Sequence, residues 1–288
     1  MKAIVLMVVA VFSFTVMDAI SKYLMTIYPI PFVIWSRYFL SCVVIVLFFG
    51  RRYGLELIKT KLPKMQIARG LSLVLSTLFF FNALARMPLA NAQSIVLIAP
   101  ILVTFASVKW LGEPLPRQSW WVLLVSFLGV LLVVKPGTAL FSWTMIFPLC
   151  AALCFAAYQI STRMVAPIDN NMATLFIGGL VGTVASALFL PGNVVLPHSV
   201  FDAILFTTIG AIGAGGHLLM VKAFELAPAS RLAPFVYLQI VGALVLGYLV
   251  FDTFPDGWAL IGMAMIAFTG VVNALIKLPK PLPQAATT

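Results

Sequence analysis

The sequence predicts an all-α integral membrane protein of ten transmembrane helices, arranged as two inverted five-helix repeats. Three observations predict it. Of the 288 residues, 62% are hydrophobic and 9% charged, which a soluble domain could not carry without large exposed apolar patches. Apolar runs of about 20 residues recur along the whole chain, each enough to cross roughly 30 Å of hydrocarbon. The stretch Phe79 to Pro116, FFFNALARMPLANAQ…WLGEPLP, is echoed about 140 residues later by Leu218 to Asp256, LLMVKAFELAPASRLAP…VFDTFPD. Ala83 falls on Ala223 and Pro88 on Pro228.

The first five runs are Ala3 to Met25, Pro31 to Gly50, Ala68 to Met87, Asn91 to Leu111 and Trp120 to Val134. The second five are Trp143 to Met164, Met172 to Leu190, Ala203 to Leu226, Leu232 to Phe251 and Trp258 to Ile276. A repeat with an odd number of crossings forces its second copy to enter from the opposite face, so the repeats are inverted. Further echoes keep the same order: Ile20 to Lys22 (ISK) with Ile160 to Arg163 (ISTR), and Phe127 to Val133 with Phe268 to Ala274. The expected units are residues 1–137 and 138–277, followed by a Pro-rich polar tail, 278–288, with no means of burying a core.

Ten spans put both termini on one side, and basic residues choose it. With the N-terminus in the cytoplasm, only Lys22, Arg37, Arg86 and Lys135 fall on the far side. The formal charge of +10 is therefore an orientation signal at the inner membrane of a cell, and it implies no nucleic-acid partner. The cluster RRYGLELIKTKLPK, from Arg51, reads as a cytoplasmic linker, and Pro191 to Asp202 as a plain loop on the other face. The first run is too long for a signal peptide and continues through Asp18 and Lys22 without a cleavage site. Cys42, Cys150 and Cys154 lie within spans at no metal-ligand spacing, which suits packing.

Ionisable groups in hydrocarbon cost from about 2.5 kcal/mol upward, so each one needs a reason. Asp18 and Lys22 share a face of the first span at i, i+4 and are expected to pair, with Arg37 at similar depth completing the cluster. These three are candidates for gating or proton coupling; an interfacial salt bridge between the first two spans is the competing reading. In the other half, Tyr158, Gln159 and His217 fall in the inner third, which inversion sets opposite the Asp18 level in the outer third, His217 directly after the small-residue run GAIGAGG. Asn82, Gln93, Ser94, Tyr237 and Gln239 add uncharged hydrogen-bonding groups near the middle, suited to a neutral or zwitterionic solute or to helix contacts. Pro100 and Pro148 are expected to kink the fourth and sixth spans. Gly178 and Gly182 form a GxxxG packing face, within one chain or between two copies.

These features together resemble the drug/metabolite transporter superfamily, EamA type. The shared marks are two five-span repeats and a basic residue closing the first span of each half, Lys22 and Arg163. Pro88 and Pro228 before the fourth and ninth spans, and Gly112-Glu113 ending the fourth, complete the set. The second half departs from the pattern, with Asp252-Thr253 in place of Gly-Glu. The resemblance implies a secondary transporter of small metabolites with alternating access, its cavity lined mainly by spans 1, 3, 4, 6, 8 and 9. The DAISK stretch, Asp18 to Lys22, and the spacing through Trp35 and Arg37 are similar to the riboflavin-importer branch, so a flavin is the first solute expected and export of amino acids the alternative.

Other classes find little support. His198 and His217 begin no HExxH, and neither a GxSxG elbow nor a Walker loop occurs. No cofactor or metal is called for. The driving force must then be a gradient: protons if Asp18 or His217 titrates, with facilitated diffusion or exchange fitting equally well. A channel or scaffold is the remaining rival, but needs no such repeat symmetry.

Overall fold

The computed structural model describes residues 1–99, 101–103, 106, 117–135, 142–165, 168–226 and 235–275. Among these, ten α-helices follow one another and no strand occurs. The first half contributes α1 (Lys2–Leu24), α2 (Ile30–Tyr53), α3 (Pro63–Leu84), α4 (Leu89–Val96) and α5 (Arg117–Val134). The second contributes α6 (Ile146–Val165), α7 (Asn171–Ala187), α8 (Val200–Leu226), α9 (Leu238–Phe251) and α10 (Gly257–Leu275). Pro100, Pro228 and the Gly112-Glu113 pair lie outside the described residues.

Local chemistry sets the helix ends. Prolines stand at the first positions of α2 and α3, where a missing N–H costs nothing. Asn170 caps α7 by accepting from the Met172 amide. Gly54 closes α2 at a φ of 49°, which a side chain would strain. Pro148 falls in the first turn of α6, directly after a 3₁₀ turn at Trp143–Met145, rather than mid-helix as a kink would need.

Five helical stretches are long and apolar enough to cross a membrane: Lys2–Leu24, Ile30–Ile58, Pro63–Leu84, Trp143–Val165 and Val200–Met220. The other five helices are apolar and shorter. Their outward faces are greasy, with Leu47 and Phe48 more than 70% exposed and Trp121 and Leu188 likewise turned outward. Such a surface is stable only against lipid.

Helix α1 packs on α8 and α9, α2 on α7 and α8, α3 on α6 and α7, α4 on α6 and α9, and α5 on α10. Most of these contacts therefore join one half of the chain to the other. Two glycines allow the α5/α10 backbones to touch: a Cβ on Gly129 would sit 2.8 Å from the Gly262 carbonyl oxygen. Ser126 and Thr269 hydrogen-bond across the same seam. The GxxxG face of α7 is used inside the chain, Gly178 facing Arg69 and Gly182 facing Tyr38.

Candidate functional site

Between α2, α3, α6, α7 and α8 lies a narrow cavity of about 40 Å³ with polar groups set in a mainly apolar wall, room for only two or three waters. Its polar walls are Arg37, Tyr38 and Ser41 from α2, Arg69 from α3, Tyr158 from α6 and His217 from α8. Spans 2 and 7 line this cavity with the expected spans 3, 6 and 8, and among the described residues spans 1, 4 and 9, also expected, contribute none of its wall. A wider space of about 440 Å³ near Val46, Leu57 and Phe176 is apolar and opens outward, a shape for lipid rather than a polar solute.

Helix geometry places the two arginines at different levels. Arg37 lies two turns into α2 from its N-terminal end, and Arg69 about as far into α3, which starts at the opposite end of α2. With α2 about 36 Å long, each arginine sits roughly 10 Å inside opposite ends of the bundle, and the cavity lies between.

Arg69 is the more completely bonded. Its Nε donates to Thr162 Oγ1 at 2.8 Å, Nη1 to the Thr174 carbonyl at 3.0 Å and Nη2 to the Tyr158 hydroxyl at 3.0 Å. The guanidinium also covers the Tyr158 ring at 4.7 Å. Gly178 makes this possible, since a Cβ there would be 2.9 Å from Nη1. Arg69 falls among the basic residues left on the cytoplasmic side by the orientation rule, and nothing in the sequence pattern placed it in a cavity.

Arg37 is also buried, yet its one hydrogen bond among the described residues is a 3.5 Å contact to Thr77 Oγ1. The rings of Tyr38 and Phe81 lie 5.4 and 5.6 Å from it. Tyr38 holds Thr77 from the other side at 2.7 Å. His217 lies against Phe14 with ring centroids 4.9 Å apart, a contact opened by Gly216. Both guanidiniums are within electrostatic reach of His217, and Arg37 within reach of Asp18.

The expected Asp18/Lys22 ion pair does not form. Lys22 Nζ instead donates to the Leu84 carbonyl in the last turn of α3 and to the Met87 carbonyl just past it, 2.8 Å in the second case. Those carbonyls have no helical partners of their own, and an ammonium with three donors satisfies two at once. Asp18 is buried with no ion pair among the described residues.

The uncharged candidates divide. Tyr158 enters the cavity, whereas Gln159 on the same helix is half-buried and outside its lining. Asn82 is held within α3, donating to the Leu78 carbonyl and accepting from Arg86, both at 2.8 Å. Ser94 bonds back to the Ala90 carbonyl. Gln93 donates to Gln239 Oε1 at 2.8 Å, joining α4 to α9, while its own Oε1 is buried without a partner. Tyr237 is buried beside that junction, at the N-terminus of α9. Asn82, Ser94 and the Gln93/Gln239 pair are thus placed as helix contacts, away from the cavity.

Two clasps that the sequence reading passed over close the bundle ends. At the α1–α2 end, Tyr28 donates to Asp202 Oδ2 at 2.8 Å and accepts from the His198 amide at 2.7 Å. The loop read as plain therefore carries a tertiary contact. At the α2–α3 end, Asp169 accepts from the Thr60 hydroxyl, from the Lys61 amide at 2.9 Å and from Gln66 Nε2 at 2.9 Å. Burial raises the Asp169 carboxyl, but these hydrogen bonds and the Lys61 charge outweigh it and hold the group below the usual carboxylate range.

A helical bundle with a greasy outer face, closed at both ends around a narrow buried cavity, has the form of a multi-pass membrane protein. The sequence profile of the EamA-like transporter family matches residues 1–135 and again 142–275, and the chain belongs to that family. It is 30% identical to an S-adenosylmethionine uptake transporter of Rickettsia bellii (strain RML369-C), over 86% of this chain and 85% of that one. It is 28% identical to a pseudopaline exporter of Pseudomonas aeruginosa (strain UCBPP-PA14), over 95% and 96%. A riboflavin transporter of Rhizobium johnstonii (strain DSM 114642 / LMG 32736 / 3841) is more distant, 24% identical over 76% and 72%. One solved crystal structure shares the fold, with a TM-score of 0.65 at 18% identity over 95% of this chain and 96% of that one. These relatives are transporters of small molecules rather than enzymes.

Proposed function

We propose that this chain is a secondary transporter that carries a small organic metabolite across the inner membrane by alternating access. It has ten spans in two inverted repeats, residues 1–137 and 138–277, with both termini cytoplasmic. The observation that carries this reading is the polar cavity, closed at both ends by contacts between the two halves. The double family match supports the division. So does the packing: exchanging α1–α5 for α6–α10 turns α1/α8 into α6/α3, α2/α8 into α7/α3, and α1/α9 into α6/α4, all of which occur.

The conformation is occluded, because about 40 Å³ cannot hold a metabolite and must widen when one end opens. S-adenosylmethionine is the first solute to test, in keeping with the 30% identical relative. Riboflavin is the second reading, favoured by the DAISK stretch and the more distant relative. One relative is named for uptake and another for export, so both directions are tested. Asp18 and His217 are the proton-coupling candidates, and Lys22 and Arg37 the cations that set their field.

The test is uptake and efflux of labelled S-adenosylmethionine, riboflavin and amino acids in proteoliposomes, with and without an imposed pH gradient. Saturable movement of one solute above empty vesicles is expected. No transport of any member in either direction would favour a non-transporting scaffold.

A further inference from the structure

The cavity holds two buried guanidiniums that differ in what they still have to give. Three side-chain donors of Arg69 are taken by Thr162, Thr174 and Tyr158 at 3.0 Å or less. Arg37 is 9% exposed and, among the described residues, has one long hydrogen bond, 3.5 Å, to Thr77 beside the Tyr38 and Phe81 rings. No carboxylate lies within 4 Å of it among the described residues. A guanidinium carries five N–H donors in a planar fork that fits a carboxylate through two parallel bonds. Removing such a cation from water is costly unless an acceptor answers it.

The repeat adds a second argument. At the offset of about 140 residues that lays Pro88 on Pro228, Thr77 falls on His217 and Asp18 on Tyr158, polar on polar. Arg37, by contrast, falls on Ile177, and Arg69 on Ile209. The scaffold therefore needs no arginine at these positions, and each one answers something particular to this half. For Arg69 the partners are visible in Tyr158 and Thr162. For Arg37 the missing partner is an acceptor in the cavity.

We infer that Arg37 is the anion-binding residue of the cavity, and that the transported solute carries a carboxylate which Arg37 holds through two hydrogen bonds. This rests on the transporter reading and names its substrate class. A single negative charge is the right load. Asp18 lies within electrostatic reach of Arg37 and offsets part of its charge, so a single carboxylate suffices to answer the guanidinium. The same Asp18 favours a solute whose carboxylate is accompanied by an amine, as in an amino-acid head group. Tyr38 and His217 line the space beside the fork for the rest of the solute.

Three probes separate the possibilities: S-adenosylmethionine, its decarboxylated form, and riboflavin, which has no carboxylate. Their binding to the purified full chain is measured for wild type, Arg37→Gln and Arg37→Lys, with the melting temperature of each variant reporting that it is folded. The wild type should bind S-adenosylmethionine about 10- to 100-fold more tightly than the decarboxylated form, the range that two charge-assisted bonds supply. Arg37→Gln should bind both forms alike, and Arg37→Lys, which keeps charge but loses the fork, should fall between. Equal binding of both forms by the wild type would overturn the assignment, as would an Arg37→Gln variant that weakens both equally. Riboflavin binding that ignores Arg37 would overturn it too while leaving the transporter reading intact. Binding of none of the three also counts against it; the transporter reading is then decided by the uptake panel, which does not depend on Arg37.

Discussion

The two ends of the bundle are closed by different chemistry. At the α2–α3 end a carboxylate, Asp169, gathers three donors from the opposing half, and the arginine below it, Arg69, is bonded on three of its nitrogens. At the α1–α2 end the clasp is a phenol on a carboxylate, Tyr28 to Asp202, wrapped by the His198 and Phe206 rings at 4.9 and 5.0 Å. The arginine below it, Arg37, is sparsely bonded. One end is thus a polar lock that loses much if a single group is removed, and the other an aromatic latch over an arginine with donors to spare. A transporter that releases one end at a time benefits from ends that can be released by different events.

The comparison can be broken hardest at Arg69. Arg69→Met leaves Tyr158, Thr162 and the Thr174 carbonyl without their partner, and should cost about 3 kcal/mol or more of stability, read as a melting temperature several degrees lower. Arg37→Met should cost clearly less, because only one long contact is lost. Equal losses would erase the distinction between the two levels.

Asp169→Asn comes next. It weakens the acceptor of three hydrogen bonds and should open the α2–α3 end by about 2 kcal/mol. Cys42, buried on α2 with its sulfur 2.8 Å from where a Gly179 Cβ would be, reports the change through faster thiol labelling once Cys150 and Cys154 are serine. Tyr28→Phe should have the smaller effect, about 1 kcal/mol, because the ring contacts survive the lost hydroxyl. The Asp169 lock also carries a pH signature. Its carboxyl lies below the usual range when the end is closed, so its contribution is complete above the ordinary carboxylate value. That contribution is lost as pH falls through the lowered value. Cys42 labelling, taken relative to that of the unfolded chain at the same pH, should therefore stay slow from pH 8 to 5 and rise only below about pH 4. Faster labelling already at pH 6 would contradict the assignment.

The positions of the helices were legible because an apolar run needs no knowledge of its neighbours. Asn171–Ala187 and Gly257–Leu275 start within one residue of the runs read from sequence. Side-chain partners were less legible, because they are settled by faces that meet only after folding. The i, i+4 spacing of Asp18 and Lys22 is a real local preference, but orphan carbonyls more than 60 residues away offer the lysine more. Arg69 read as an orientation charge, since nothing nearby in sequence shows that Thr162 and Tyr158 wait across the bundle. Asp169, Asp202 and Tyr28 sit in or beside short loops whose composition is ordinary; an acidic residue at each loop-to-helix junction, Asp169 and Asp202, was the available hint. The structure does bring Arg37, Tyr158 and His217 to one cavity, and for His217 the small-residue run before it was the signal.

The central claim is that the ends open alternately around the cavity. Paired spin labels test it directly, at Thr26→Cys and Val194→Cys across the α1–α2 end, and at Lys59→Cys and Asn170→Cys across the α2–α3 end, with the native cysteines replaced. All four positions are exposed and flank the clasps. Adding the transported solute should lengthen one distance while the other stays short, and the Asp169→Asn background should bias opening to the α2–α3 pair. Solute movement with both distances unchanged, or with both lengthening together, would contradict the account.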